Sequence, residues 1–308
     1  MIKLSVIILS YNTKKITQQC LESLFKSLST KSLINYEVIV VDNGSTDSSQ
    51  SQISRLRASF AEVATEAEQD YGGQGKLKII FNDKNIGYPR GNNQALKVAK
   101  EEYVLFLNSD VIIERVNFHQ LLNYLDSRPD VGVLTVKVKL TNGQIDPASH
   151  RGFPTIWNSF CYFLKLEKLF GKLPVFGKIF AGYHLTFADL RTIHEIDSPS
   201  GAFYLTRKKI LDKIGGFDED YFMYGEDLDL SFRIKELGYK ILYYPLFSVT
   251  HLKYSSGLRN NDEKERQAIK DHFYKAMKIF YKKHYEQKNH PLINNLIYFF
   301  IDLKKKIS

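Results

Sequence analysis

Two cysteines in 308 residues, Cys20 and Cys161, are too few and too unlike in their surroundings for a disulfide framework, and they lack metal-ligand spacing. The expectation is a reducing compartment, the cytoplasm. No uninterrupted apolar stretch reaches the roughly 20 residues that a membrane-spanning helix needs. The chain enters "KLSVIIL" almost at once, without the charged start, long apolar stretch and small-residue cleavage site of a signal peptide. Neither H-E-x-x-H nor paired C-x-x-C occurs, which argues against zinc chemistry. Two nucleotide fingerprints are missing as well. After the first strand-like run comes "SYNTKK" where a dinucleotide fold needs G-x-G-x-x-G, and "GGQGK" at 72–76 lacks the leading Gly and the Ser/Thr of a phosphate-cradling loop. No internal repeat is visible.

What is present is a globular composition, 44% hydrophobic and 25% charged, long enough for one large domain or two modest ones. The formal charge is +9, and its distribution is uneven: residues 251–308 hold 13 Lys and Arg against 6 acids, +7 of that total. A basic tail fits nucleic acid, acidic lipid or solubility alone.

The first 140 residues alternate two patterns. "KLSVIIL" (3–9), "YEVIVVD" (36–42), "KLKIIFN" (76–82) and "YVLFLN" (103–108) are rich in β-branched and aromatic residues, as strands buried on both faces are. Between them, segments such as "ITQQCLESLFKSL" repeat apolar residues (Ile16, Cys20, Leu24, Leu28) at helical spacing. The alternation predicts an α/β fold with a parallel sheet covered on both faces, whose ligands bind beyond the carboxyl ends of the strands. Residues 56–76 are expected to be an exposed helix end and loop. Residues 152–190 interleave aromatics with Lys and Gly and read as a helical or irregular insertion. Beyond it the pattern predicts a strand "GAFYLT", a short helix closed by Gly215, a helix from about Glu226 to Leu237, and a strand pair "KILYYP" and "FSVTHL". The tail is expected to hold a long helix over 262–286 and a short apolar helix with a basic end, "PLINNLIYFFIDLKKK", suited to a membrane interface or to packing on the protein.

Small acids and amides cluster where those strands end: "VVDNGSTD", "NDKNIGYPRGNN" and "FLNSD". Asp42 can accept hydrogen bonds from a base or ribose, or cap the following helix. Gly87 and Gly91 allow close backbone approach, and Arg90 can meet a phosphate or sugar. Asp110 follows a buried strand, where either a divalent cation bridging to a diphosphate or a local turn would employ its carboxylate. Glu226, Asp227 and Asp229 crowd a helix start, more acids than a cap requires, and one could serve as a general base. His251 ends a strand ahead of a Gly/Ser loop, a place suited to metal or phosphate.

In their order, "SVIILSYN", "EVIVVDNGSTDSS", "NIGYPRGNN", "VLFLNSD", "SGAFYLTRKKILDKIGGFDEDYFMYGEDLDLSFRIKELGYKILYYP" and "HLKYSSG" resemble the family-2 glycosyltransferases of the GT-A fold, in the bacterial rhamnosyltransferase-like branch. The resemblance covers about 3–257. It implies a GT-A nucleotide-sugar-binding and catalytic domain over 1–257, with 152–190 as an insertion on the acceptor side and 258–308 as a basic helical extension. It implies an inverting, Mg²⁺- or Mn²⁺-dependent transfer from a nucleoside-diphosphate sugar, dTDP-rhamnose or a UDP-hexose. The receiving hydroxyl would belong to a cell-surface polysaccharide or a lipid-linked oligosaccharide precursor. By position, Asp227 would be the base with Glu226 beside it. Ser10, Asp42, Gly87, Arg90, Asn93, Asn108, Ser109 and Asp110 would bind the nucleotide sugar, and Asp110 and His251 the metal. Asn108 replaces the first acid of the family's D-x-D motif, which leaves one carboxylate there for the ion. The expected location is the cytoplasm, with contact to anionic lipid on the inner membrane face and a homodimer left open and no nucleic-acid partner. Competing readings are a nucleotidyltransferase, or a non-catalytic binder of nucleotide sugar or nucleic acid.

Overall fold

The strands begin where the sequence carries its β-branched runs, because such residues fill both faces of a covered sheet. The computed structural model describes residues 3–29, 34–55, 75–173, 175–253 and 263–307. The expected exposed segment 56–76 and the boundary near 257 fall almost wholly outside the described residues.

The N-terminal half contains β1 (Lys3–Ser10), α1 (Lys14–Ser29), β2 (Asn35–Asp42), β3 (Gly75–Phe81), α2 (Tyr88–Val98), β4 (Tyr103–Asn108), β5 (Val111–Arg115), α3 (Phe118–Asp126) and β6 (Val131–Leu140). Three short helices follow, α4 (Ile156–Phe163), α5 (Leu166–Phe170) and α6 (Phe176–Phe180). Then come β7 (His194–Ile196), β8 (Phe203–Arg207), α7 (Lys208–Ile214), α8 (Glu226–Glu236), β9 (Lys240–His251), α9 (Glu263–His284) and α10 (Pro291–Ile307). The strands form one sheet in the order β3-β2-β1-β4-β8-β6-β9-β5, with β7 paired to β9. Its β3-β2-β1-β4 side is parallel, whereas β8 runs antiparallel to both neighbours and β6 pairs β9 in parallel.

Side chains alternate across each strand. Val6 and Ile8 of β1 enter a core with Leu21 and Leu24 of α1 and Leu121 and Leu122 of α3. Ile7 enters the opposite core with Ala95 of α2, Leu211 of α7 and Leu230 and Ile234 of α8. Both faces are thus covered, as predicted. α7 ends on Gly215 at φ 78, the left-handed conformation that closes the helix.

One expectation is corrected. "KILYYP" and "FSVTHL" are a single strand, β9, which stays parallel to β6 throughout. Tyr244 pairs with Val136 and Ser248 with Lys137, so Pro245, Leu246 and Phe247 bulge out between successive partners. Pro245, with no N–H for the ladder, sits in that bulge. The sequence's proline break is real, but it interrupts the register and not the strand.

The insertion is held by its own aromatic contacts. Trp157 Nε1 donates to the Ile179 carbonyl at 2.8 Å, and the rings of Phe170 and Phe180 lie 5.1 Å apart. The C-terminal helices pack on the sheet domain through α8: His284 Nε2 lies 2.8 Å from Asp229 Oδ1, and the His284 ring is 4.1 Å from that of Phe232. Among the described residues, no helix is long and apolar enough to cross a membrane.

Candidate active site

Parallel pairing brings the ends of three strands level. Ser10 is in register with Asp42, and Leu9 with Asn108, so the first three polar loops leave the sheet along one edge. The antiparallel pairing of β5 with β9 sets Val111 against His251, and the Leu252 amide donates to the Asp110 carbonyl at 2.8 Å. This register carries His251 to Asp110 across 141 residues of chain.

The two side chains meet at 3.1 Å, Asp110 Oδ1 to His251 Nε2. The other ring nitrogen, Nδ1, lies 2.8 Å from Asp146 Oδ2, and Lys253 Nζ lies 2.8 Å from Asp146 Oδ1. Burial opposes a charged imidazole, but the hydrogen bonds to Asp110 and Asp146 outweigh it and hold the His251 pKa up at about 9. Burial likewise opposes ionisation of Asp146, yet His251 and Lys253 hold its carboxyl well below the ordinary range.

Across the same cavity α8 begins at Gly225, whose φ of 76 turns the chain into the helix. Its first-turn acids divide their work. Asp229 is fully buried and bonded to Arg233 and His284, both at 2.8 Å, so it fastens the C-terminal helix. Asp227 is held by Arg151, Nη2 to Oδ2 at 2.6 Å, and its Oδ1 accepts from the Leu228 amide. Glu226 is buried beside it, with Oε2 lacking a hydrogen-bond partner among the described residues. Burial, reinforced by the Asp227 charge, pushes the Glu226 pKa up to about 8.

Asp110, Asp146, Arg151, Glu226, Asp227, His251 and Lys253 line one cavity of about 1270 Å³, together with Asn43, Tyr88, Asn108 and Ser109. Of the residues singled out from sequence, Asn108, Ser109, Asp110, Glu226, Asp227 and His251 face it. Ser10, Asp42, Gly87, Arg90 and Asn93 do not line it. The Ser10 hydroxyl is bonded to Thr13 and Thr17 at the start of α1. Asn93 is taken up by the Phe217 backbone and Glu219, and Arg90 pairs with Glu219 on the surface at 3.5 Å. Asp42 accepts from the Ser45 amide and from Gln50, bonds that hold the loop after β2, while its Oδ2 is buried without a partner among the described residues; the expected capping falls to Asp47, which accepts from the Ser49 amide. Gly87 shapes the loop: at φ 92, an added Cβ would come within 2.8 Å of the Phe222 carbonyl oxygen, to which Tyr88 N donates.

Sequence reasoning missed Asp146 and Arg151. Both lie between β6 and the insertion, in "IDPASHR", where an Asp before a Pro is an ordinary turn signal and an isolated Arg carries none.

Asp110 and His251 could hold a divalent cation once Nε2 gives up the proton that it holds toward Asp110: one buried carboxylate, and one imidazole whose far nitrogen is fixed by a second carboxylate. It is a partial set. Among the described residues, no group of three or more His, Cys, Asp or Glu is arranged to hold an ion by itself.

The profile of Glycosyl transferase family 2 matches residues 5–190, more than half of the chain. Poly(ribitol-phosphate) β-N-acetylglucosaminyltransferase TarS of Staphylococcus aureus is 34% identical over 149 residues, 48% of this chain but only 23% of that protein's length. The N-acetylglucosaminyl-diphospho-decaprenol L-rhamnosyltransferase of Mycobacterium tuberculosis is 26% identical over 238 residues, 76% of this chain and 72% of the relative. In structure, TarS residues 1–349 in complex with UDP-GlcNAc match with a TM-score of 0.56 at 21% identity, covering 96% of this chain and 70% of that one. The mannosyltransferase PcManGT of Pyrobaculum calidifontis, in complex with GDP-Man and Mn²⁺, matches with a TM-score of 0.54 at 17% identity, over 89% of this chain and 62% of that one. At these identities the structural likeness establishes the fold, which is GT-A.

Proposed function

Because the chain belongs to glycosyl transferase family 2, we propose that its cavity transfers a sugar, with inversion, from a nucleoside-diphosphate donor to a hydroxyl of a cell-envelope glycan or its lipid-linked precursor. The observation that carries this reading is the meeting of two unlike groups across one cavity. Asp110 and His251 stand at the sheet edge, and Glu226, Asp227 and Arg151 at the start of α8. An inverting transfer needs such a pair of stations, one for the departing diphosphate and one for the attacking hydroxyl.

At the first, Asp110 and His251 would hold Mg²⁺ or Mn²⁺ jointly with diphosphate oxygens. The ion, when bound, supplies positive charge that stabilises the leaving group. Asp146 keeps the His251 ring oriented through Nδ1. At the second, Asp227 accepts the proton from the acceptor hydroxyl as its oxygen attacks the anomeric carbon. Each carboxylate oxygen has two lone pairs, so bonding to Arg151 and to the Leu228 amide leaves Asp227 capacity to take that proton. Glu226 stays protonated at neutral pH and is suited to donate a hydrogen bond to the acceptor. Asn43, next after β2, lines the cavity and is suited to meet the nucleoside; Asp42, buried behind it, would support that loop.

The donor, dTDP-rhamnose or a UDP-hexose, is identified by thermal-shift screening of nucleotide sugars with and without Mn²⁺. A cognate donor raises the melting temperature, more so with metal, because a ligand of the native state stabilises it. Metal alone gives little shift, since the protein offers only part of a coordination shell. Failure of every nucleotide sugar to shift the transition, with or without metal, would overturn the reading.

A further inference from the structure

The cavity has a second half that the proposed chemistry leaves unused. Beyond the carboxylates it continues between α4, α9 and α10, where Phe160, Met277, Ile297, Leu296 and Phe300 form an apolar wall. The whole space, about 1270 Å³, exceeds the roughly 300–1000 Å³ of ordinary small-ligand sites. The wall is also open to solvent: Phe160 is 49% exposed, Leu296 53% and Phe300 55%. Contiguous apolar surface of this kind marks a binding site in a soluble fold.

Charge narrows the occupant. Lys304 lines the same cavity, its ammonium 5.8 Å from the Phe163 ring across the gap between α10 and α4, whereas Lys305 turns to Asp271 at 2.8 Å. An apolar channel that joins the proposed catalytic carboxylates and carries the Lys304 ammonium in its lining fits a molecule with a long hydrocarbon chain and an anionic head. A peptide would fit less well, since its backbone N–H and C=O groups would be buried against a wall of carbon.

We infer that the α4–α9–α10 channel binds the hydrocarbon chain of a lipid phosphate that carries the acceptor sugar to Asp227. This rests on the transfer reading above, because it is the acceptor that the lipid presents. It selects the lipid-linked precursor over a finished polysaccharide as the substrate class.

The test is calorimetric titration of the full chain with farnesyl phosphate, isopentenyl phosphate and inorganic phosphate, all below micellar concentration. Farnesyl phosphate binds saturably, one per chain, at least tenfold more tightly than isopentenyl phosphate, since affinity follows the buried hydrocarbon. Phe300→Asp and Leu296→Asp, at half-exposed positions that tolerate charge, each weaken farnesyl phosphate at least tenfold while circular dichroism and melting temperature stay as in the parent. Leu292→Asp, 72% exposed and outside the cavity, leaves the affinity unchanged. Equal affinity for the two prenyl phosphates, no effect of Phe300→Asp, or an equal loss in Leu292→Asp would overturn the inference. So would a lipid-free dimer that Phe300→Asp dissociates, which would give the channel to a second copy of the chain. Nucleotide-sugar shifts are read separately on the parent protein. If they appear without prenyl binding, only this inference falls; if prenyl phosphate binds and no nucleotide sugar does, the transfer reading falls instead.

Discussion

Glu226 shows how position sets the state of a single carboxyl. Burial and the Asp227 charge raise its pKa from the ordinary 4.5 to about 8. The unfolded chain releases this proton at lower pH than the native one, so between those values the native state binds more protons and stability falls as pH rises. Glu226→Gln removes that slope. Urea unfolding midpoints should show the variant gaining on the parent from about pH 5 to about pH 8; parallel curves for the two proteins would show that Glu226 ionises as an ordinary carboxyl. The buried Arg151–Asp227 pair is worth little as a net stabiliser, yet leaving one partner alone costs about 3–5 kcal/mol. The geometry of the proposed base therefore depends on an arginine that no sequence pattern announced.

At the scale of elements, the chain folds as its local patterns dictate wherever a pattern serves one partner. β1, β2 and β4 follow their β-branched runs to within a residue or two, because both faces of each strand are covered. α1 follows Cys20, Leu24 and Leu28, all fully buried. Legibility ends where meaning depends on pairing. β9 reads as two strands because Pro245 breaks the pattern, while the continuous ladder of β6 bridges the break. Asn93 and Ser10 carry the polarity of ligand residues, but Phe217, Glu219, Thr13 and Thr17 satisfy them inside the fold. Asp146 and Arg151 matter only through His251 and Asp227, over 100 and 70 residues away. Loop shape follows the same rule. The positive φ of Gly87 and its contact with the Phe222 carbonyl predict that Gly87→Ala costs about 1–3 kcal/mol in denaturant unfolding. An unchanged midpoint would mean that the loop relaxes away from Phe222.

For the whole molecule, positive charge and exposed apolar surface coincide at the C-terminal end. Most of the excess positive charge lies in the last 58 residues, and α10 carries exposed Leu292, Phe299, Phe300 and Ile307 beside Lys304, Lys305 and Lys306. Apolar side chains next to lysines favour an anionic bilayer surface, each nearby cation adding about 1 kcal/mol. A chain ending at residue 290 should lose the cosedimentation with phosphatidylserine vesicles that is expected of the full chain at low salt; equal binding by both would show that α10 makes no membrane contact. Only Asn294 and Ile301 of α10 are buried, so this truncation removes little core. The central claim, however, concerns the cavity and its base. It is tested most directly by the rate at which Asp227→Asn, with native circular dichroism, releases nucleoside diphosphate from the cognate donor in the presence of acceptor. The account predicts a loss of roughly 10²–10⁴-fold relative to the parent, and near-parental turnover would contradict it.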